Sequence, residues 1–328
     1  MTYAYIPVTG TNSESTATPT DFQQLVTVDL SYYSAFLNQD LSNTFFSSDT
    51  AGSTVVTSWL EFGNTYPFSS VNFWLYLPGG IGASSSITVY LQVDLSNANH
   101  FNTTTTGVAP QLTSTYAEYD DGANVFTNYW NFAGTAAPSG WTYNGGSVSY
   151  DNGATFNGNG GTYWYYKGTT YSGNLMIDEL MKVNTQATTT NYGEGAVGLT
   201  TTSPSWTSTF SLSRVLQGTN PTIGYMFGGN GIITSTEFEP VGTFGVLGFS
   251  ATSSGMAAYS NYRTIETSTD AVPSDYYIVG SEADGGAQVF VQWLRTRAYP
   301  PNGVMPFVTA GTPSNFPYYN TTTYEDLL

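Results

Sequence analysis

Apolar and polar residues alternate with a period of two along much of this chain, and Gly, Asn, Asp, Ser or Pro interrupts the alternation at short intervals. This pattern limits the fold more than any other feature, because successive side chains point to opposite faces only in a strand. Clear examples are Leu25–Asp29, Ser70–Tyr76, Ser86–Val93, Thr243–Phe249 and Gln288–Leu294. Helical periodicity is nearly absent. The ambiguous stretch is Leu175 to Val183. Leu175, Met176, Leu180 and Met181 fit a helix, while Leu175, Ile177, Glu179, Met181 and Val183 fit one strand face. Asp178-Glu179 and Lys182 would suit an exposed strand face or a short helix. The expected class is all-β, with two tandem β-sandwich or jelly-roll domains.

A length of 328 residues accommodates two such domains. The Thr- and Asn-rich bridge from Ser96 to Ser114 places the boundary near residue 112, giving domains 1–112 and 113–299. Residues 300–328 carry Pro300, Pro301, Pro306, Pro313 and Pro317, so they form neither a helix nor a central strand. An extended arm is expected there, packed either on a neighbouring subunit or on its own domain.

Only 9% of residues are charged, and the net charge is −17. Residues 1–166 hold 11 acids and no base; residues 167–328 hold 12 acids and 6 bases. Nucleic-acid backbones and anionic membranes are recognised by clustered Lys and Arg, so both are excluded as partners. No apolar run approaches the ~20 residues that insert across a bilayer. With no cysteine, disulfides and thiolate chemistry are excluded. Few ion pairs and a hydroxyl-rich surface suit an extracellular surface or a virion, and would tolerate acid. Met1–Ile6 has neither the cationic nor the apolar segment of a secretory signal. A signal removed upstream, or export within a virus particle, is therefore expected. Both termini are expected to be held by neighbours.

Particular stretches add a family resemblance. Val291-Gln292-Trp293-Leu294-Arg295-Thr296-Arg297-Ala298-Tyr299-Pro300-Pro301 resembles the closing strand of an uncharacterised family of archaeal and bacterial surface proteins. Trp130-Asn131-Phe132, Pro138-Ser139-Gly140-Trp141-Thr142, Gly146-Ser147-Val148, Asn152-Gly153 and Tyr163-Trp164-Tyr165-Tyr166-Lys167 match the opening of its second domain. Ile6-Pro7-Val8, Asp21-Phe22-Gln23, Trp59-Leu60-Glu61, Phe73 to Pro78 and Ile87 to Tyr90 follow the strand order of its first. The Trp-and-Arg entry to the first strand is missing, and Gln292 replaces the acid before the closing Trp. The resemblance spans about residues 3 to 301. It implies two β domains, the second concanavalin-like (laminin-G-type), and a surface location. It also implies that Leu175 to Val183 is a core strand. It carries no catalytic residues.

Candidate sites are few. His100, the one histidine, rules out a multi-His metal site and would have to serve any Ser-His-Asp triad. Glycoside hydrolysis needs two carboxylates across a groove. Glu237-Phe238-Glu239 puts two acids on one strand face, but Pro240 follows at once. Asp178-Glu179 puts two on opposite faces if the segment is a strand. Asp120-Asp121-Gly122 offers oxygen ligands for calcium, or simply a turn. Gly193-Glu194-Gly195-Ala196-Val197-Gly198 matches G-x-G-x-x-G, yet the next residues, Leu199 to Pro204, do not open a helix. Tyr163, Trp164, Tyr165 and Tyr166 alternate faces, so one pair could stack on a sugar or bury against a neighbour. Asn102 and Asn320 head glycosylation sequons. The expected function is a non-enzymatic structural subunit of an extracellular assembly or virion, self-assembling and without a cofactor. The alternatives are a carbohydrate-binding adhesin and, third, a glycosidase.

Overall fold

The computed structural model describes residues 3–158, 162–171, 173–185, 193–200, 210–216, 222–226, 233–238, 242–269, 276–283 and 286–317. The chain divides into two compact units, Met1–Phe126 with Pro300–Leu328, and Thr127–Tyr299. Both are β structures, and each expected period-two segment lies in a strand.

Unit 1 begins with β1 (Tyr3–Asn12), β2 (Phe22–Val28), β3 (Thr44–Ser47) and β4 (Val55–Val56). It continues with β5 (Ser58–Phe62), β6 (Val71–Leu77), β7 (Ser85–Asp94) and β8 (Thr106–Val108). One sheet runs β1-β7-β3-β4; the other runs β2-β6-β5-β8, with β5 and β8 parallel. Alternate residues of β1 are buried, so Ala4, Ile6 and Val8 face inward. They join Leu91, Val93 and Phe46 of the same sheet against Val26, Leu60, Phe73 and Leu75 of the other. Phe46 and Phe73 meet edge to face at 5.2 Å. A sandwich of this kind gives each sheet one dry face and one wet face.

The boundary expected at residue 112 moves to 126, because the intervening residues still serve unit 1. The Val108 amide donates to the Tyr119 carbonyl at 3.1 Å, and the Trp59 indole Nε1 donates to Asp120 Oδ1 at 2.9 Å. Phe126 packs edge-on against Trp59 and Trp74 at 5.3 and 5.8 Å. The short helix α1 (Gly122–Val125) brings it there.

Unit 2 opens with β9 (Asn128–Trp130), β10 (Trp141–Asn144), β11 (Ser147–Tyr150), β12 (Ala154–Asn157) and β13 (Thr162–Tyr171). Then come β14 (Leu175–Thr185), β15 (Gly193–Thr200), β16 (Phe210–Leu216), β17 (Thr222–Met226) and β18 (Ile233–Phe238). It closes with β19 (Gly245–Thr252), β20 (Gly255–Ser260), β21 (Arg263–Ser268), β22 (Tyr276–Ala283) and β23 (Gln288–Arg297). One sheet runs β11-β12-β23-β14-β19-β20-β21, with β9 on β23; the other runs β10-β13-β22-β15-β16-β17-β18. Ile177, Met181, Phe249, Val289 and Val291 of the first meet Val197, Leu199 and Ile278 of the second. This is a jelly-roll sandwich with two large antiparallel sheets.

The ambiguous stretch from Leu175 is a strand, β14, central between β19 and β23. From Leu175 to Met181 every residue is buried, which is why neither a clean period of two nor one of 3.6 marks it. The exposed face expected for Asp178-Glu179 is therefore corrected: both are buried, and they point to opposite faces.

The C-terminal arm folds onto unit 1 of its own chain over its described length. β24 (Phe307–Ala310) adds to the free edge of β1, pairing Val8 with Ala310 and Thr11 with Phe307. Ser314 and Tyr5 exchange backbone hydrogen bonds at 2.9 and 3.0 Å. Phe316 enters the unit 1 core. A prolyl-rich segment can do this because an edge strand donates on one side only.

Candidate functional site

The densest polar site lies on β14 and β23, on the face turned away from the unit 2 core. A bulge in β23 sets it: Leu180 pairs with Trp293 but Met181 pairs with Val291, leaving Gln292 as the extra residue. Beyond it Trp293, Arg295 and Arg297 share one face, opposite Leu180, Asp178 and Met176. Asp178 Oδ2 accepts from Arg295 Nε at 3.1 Å and Arg297 Nε at 2.7 Å. Arg297 Nη2 reaches Asp178 Oδ1 at 3.4 Å, and its Nη1 lies 3.0 Å from Met176 Sδ. Arg295 Nη2 donates to the Tyr262 hydroxyl at 2.7 Å, and its guanidinium stacks 4.5 Å from the Trp293 ring.

Burial pushes the Asp178 carboxyl up, but the charges and hydrogen bonds of Arg297 and Arg295 outweigh it and hold it below its ordinary value. A carboxylate so held neither donates nor takes a proton near neutral pH. Arg295 and Arg297 act here, yet nothing in the sequence singles them out as a site. The one visible signal is an Arg-Thr-Arg alternation inside an apolar strand of a chain with six bases.

Glu179 is the counterpart on the core face, between Ile177 and Met181 and in register with Leu247 and Leu294. Among the described residues neither carboxyl oxygen has a hydrogen-bond partner. Burial alone raises its carboxyl well above the usual carboxylate range. Adjacent in sequence, Asp178 and Glu179 cannot converge on one substrate.

Further candidates sit in unit 1. His100 Nε2 pairs with Asp94 Oδ2 at 2.9 Å, and the ring lies 4.6 Å from Phe45. Ser96 Oγ donates to Asp94 at 2.6 Å rather than to the histidine, so a triad order is not formed. His100 is a packed ring hydrogen-bonded to Asp94. Burial raises Asp94, while hydrogen bonds from Ser96 and His100 lower it, and its carboxyl ends below the ordinary value.

Asp120 Oδ1 is occupied by the Trp59 indole and by the Gly122 amide at 3.1 Å. Asp121 is buried, and neither of its oxygens has a hydrogen-bond partner among the described residues. Burial, then the charge of Asp120, pushes it up to about 8. Among the described residues no three His, Cys, Asp or Glu side chains gather as a metal cluster. The two carboxylates alone do not make up the six to eight oxygens that calcium takes, and Asp120 Oδ1 is already engaged. Asn102 spends its side-chain carbonyl on Thr104 and Thr105 and its amide on the His100 carbonyl at 2.9 Å, closing the turn that carries its sequon.

Tyr163, Trp164, Tyr165 and Tyr166 lie on β13, opposite Asn144, Tyr143, Thr142 and Trp141 of β10. Their side chains are outside the described residues. So is the side chain of Glu237 on β18, and Glu239 and Asn320 lie outside entirely. The glycine motif is the strand β15, not a phosphate loop. A Cβ on Gly195 would sit 2.2 Å from Met181 Cε, so close packing accounts for that glycine.

No family model matches the chain. It is 43% identical over 124 residues to Uncharacterized protein 562 of Sulfolobus islandicus rod-shaped virus 1. The match spans 38% of this chain and 21% of that protein. Among solved structures, endo-β-1,3-glucanase from Pyrococcus furiosus has a TM-score of 0.41 at 12% identity, covering 53% of this chain and 94% of that one. A carbohydrate binding module, CBM66 from Bacillus subtilis, has a TM-score of 0.37 at 16% identity, covering 48% and 96%. The β-glucanase of Bacillus licheniformis has a TM-score of 0.37 at 15% identity, covering 52% and 97%. At that depth a likeness says nothing of ligand or reaction. No helix among the described residues is long and apolar enough to cross a membrane.

Proposed function

We propose that this chain is a non-enzymatic structural subunit of a virus particle or a comparable extracellular assembly in an archaeal system. The observation that carries this is its kinship with a protein of an archaeal rod-shaped virus. The geometry supports it. Asp178 is locked by two guanidiniums, Glu179 is sealed in a core, and His100 is committed to Asp94. The wet face of the β1–β7 ladder is built from hydroxyl pairs, Thr9 with Thr88 at 2.8 Å and Thr11 with Ser86 at 2.9 Å. Hydroxyl pairs of this kind make a surface that is polar without charge, which suits packing against other copies.

A carbohydrate-binding adhesin is the second reading. The aromatic run on β13 favours it, since β13 is in register with half-exposed Tyr143. Negative-stain microscopy at pH 7 and pH 3 tests the first reading. Ordered particles or filaments support it. A uniform monomer at both pH values, together with glycan-array binding lost on Tyr143→Ala, would transfer the weight to the second.

A further inference from the structure

The arm completes unit 1 only after the whole of unit 2 has intervened in the chain. We propose that it is exchangeable, and that the partner it docks on is a second copy of this chain. In that arrangement β24 of one copy pairs with β1 of the next, and Phe316 fills the next copy's core. The proposal deepens the assembly reading and rests on it for its consequence, while its test reads the arm directly.

The attachment is unevenly built. β24 pairs with β1 over four residues at a sheet edge. Its side chains bury little: Phe307 is 55% exposed, and Val304 just before it is 45% exposed. Backbone hydrogen bonds hold this part, and such bonds recognise any strand of the right register. The deep anchor is Phe316, 4.7 Å from the Tyr33 ring and 5.3 Å from Phe36. Gln24 Nε2 donates to the Pro306 carbonyl at 3.0 Å, and Asn315 Nδ2 to the Tyr3 carbonyl at 3.3 Å.

Every one of these receiving groups lies within residues 3–126, and every inserted group lies after residue 300. An arm from another copy would therefore make the same contacts, which is the condition for swapping. Without an arm, β1 presents an unpaired edge and the Phe316 site stands open, so the surface requires an occupant. In dilute solution the chain's own arm competes at an effective concentration in the ~mM range. In a dense assembly neighbouring copies reach that range, and exchange links them into a chain of subunits.

The absence of cysteine makes the test clean. Thr9 and Thr309 are directly opposed on β1 and β24. Full-length Thr9→Cys and Thr309→Cys single variants are mixed, unfolded in urea, refolded together at rising concentration and oxidised. The proposal expects disulfide-linked heterodimers whose share rises at least several-fold with concentration. The double variant should close within one chain when dilute, which verifies the geometry. Thr11→Cys with Phe307→Cys repeats the test at a second register position. Intrachain closure in either double variant, with no interchain disulfide between the singles at any concentration, overturns exchange. If neither double closes, light scattering on co-refolded wild type decides: a monomer throughout overturns the proposal, and concentration-dependent oligomers lost on Phe316→Ala support it. Microscopy of the same samples separates the two ideas. Ordered assemblies without interchain disulfides refute the arm exchange and leave the assembly reading standing.

Discussion

Replacing Asp121 by Asn should stabilise unit 1 at neutral and alkaline pH and do little in acid. The carboxyl is buried, unpartnered and raised to about 8 from an ordinary 3.8. Below pH ~4 it is protonated in both the folded and unfolded chains and contributes no pH dependence. As pH rises past that point the unfolded chain ionises while the folded one stays protonated. Each pH unit then removes about 1.4 kcal/mol of stability. The loss saturates near pH 8, at roughly 6 kcal/mol. An amide has no such titration. Its own unpaired burial costs about 1–3 kcal/mol, much as the protonated acid does. The variant should thus match the wild type within ~2 kcal/mol at pH 4 and exceed it by several kcal/mol at pH 8. Pulse proteolysis in urea at pH 4, 6 and 8, read on unit 1 peptides by mass spectrometry, measures this. Parallel curves for the two proteins would refute the reasoning, because they would mean that Asp121 is solvated or paired. Adding millimolar calcium checks the cation expectation separately: a bound ion would lift the wild-type curve at pH 8 and leave the variant unmoved.

Asp178→Asn should destabilise unit 2 by about 3–5 kcal/mol at pH 7, because two buried guanidiniums lose their counter-charge. The Asp178 pKa is lowered, so its contribution is present above the ordinary carboxylate range and disappears as pH falls through the folded value; urea unfolding at pH 7 and pH 2.5 should show the gap closing. Phe316→Ala should cost unit 1 about 3–5 kcal/mol and speed amide exchange along β1 while leaving β23 unchanged, as read by exchange mass spectrometry. Gly63→Ala should lower the unit 1 melting temperature: φ is +93° there, and a Cβ would lie 2.1 Å from the Ser70 carbonyl oxygen.

Much of the architecture is legible in local pattern. β1 announces itself because one face is buried and the other only partly covered along its whole length, so alternation reports burial directly. β14 does not, because both of its faces are covered from Leu175 to Met181; the family resemblance, rather than periodicity, marks it as a strand. The domain boundary is misplaced in the sequence pattern for a related reason. The Thr- and Asn-rich bridge from Ser96 to Ser114 looks like a linker, but Trp59 and Trp74 reach beyond it to hold Asp120 and Phe126.

The sequence by itself determined the all-β class, the low charge content and the exclusion of thiol and multi-histidine chemistry. These depend only on which residues are present and how they alternate. Tertiary structure decided what each ionisable group is. Asp178 became a clamped carboxylate because Arg295 and Arg297, more than a hundred residues later in the chain, stand beside it; Glu179, its neighbour, has its carboxyl pushed up by burial because no polar group among the described residues pairs with it. It also decided that the arm closes β1 of its own chain over the described residues. Solvation and charge pairing are set by groups distant in sequence, and no local pattern records which of them will meet.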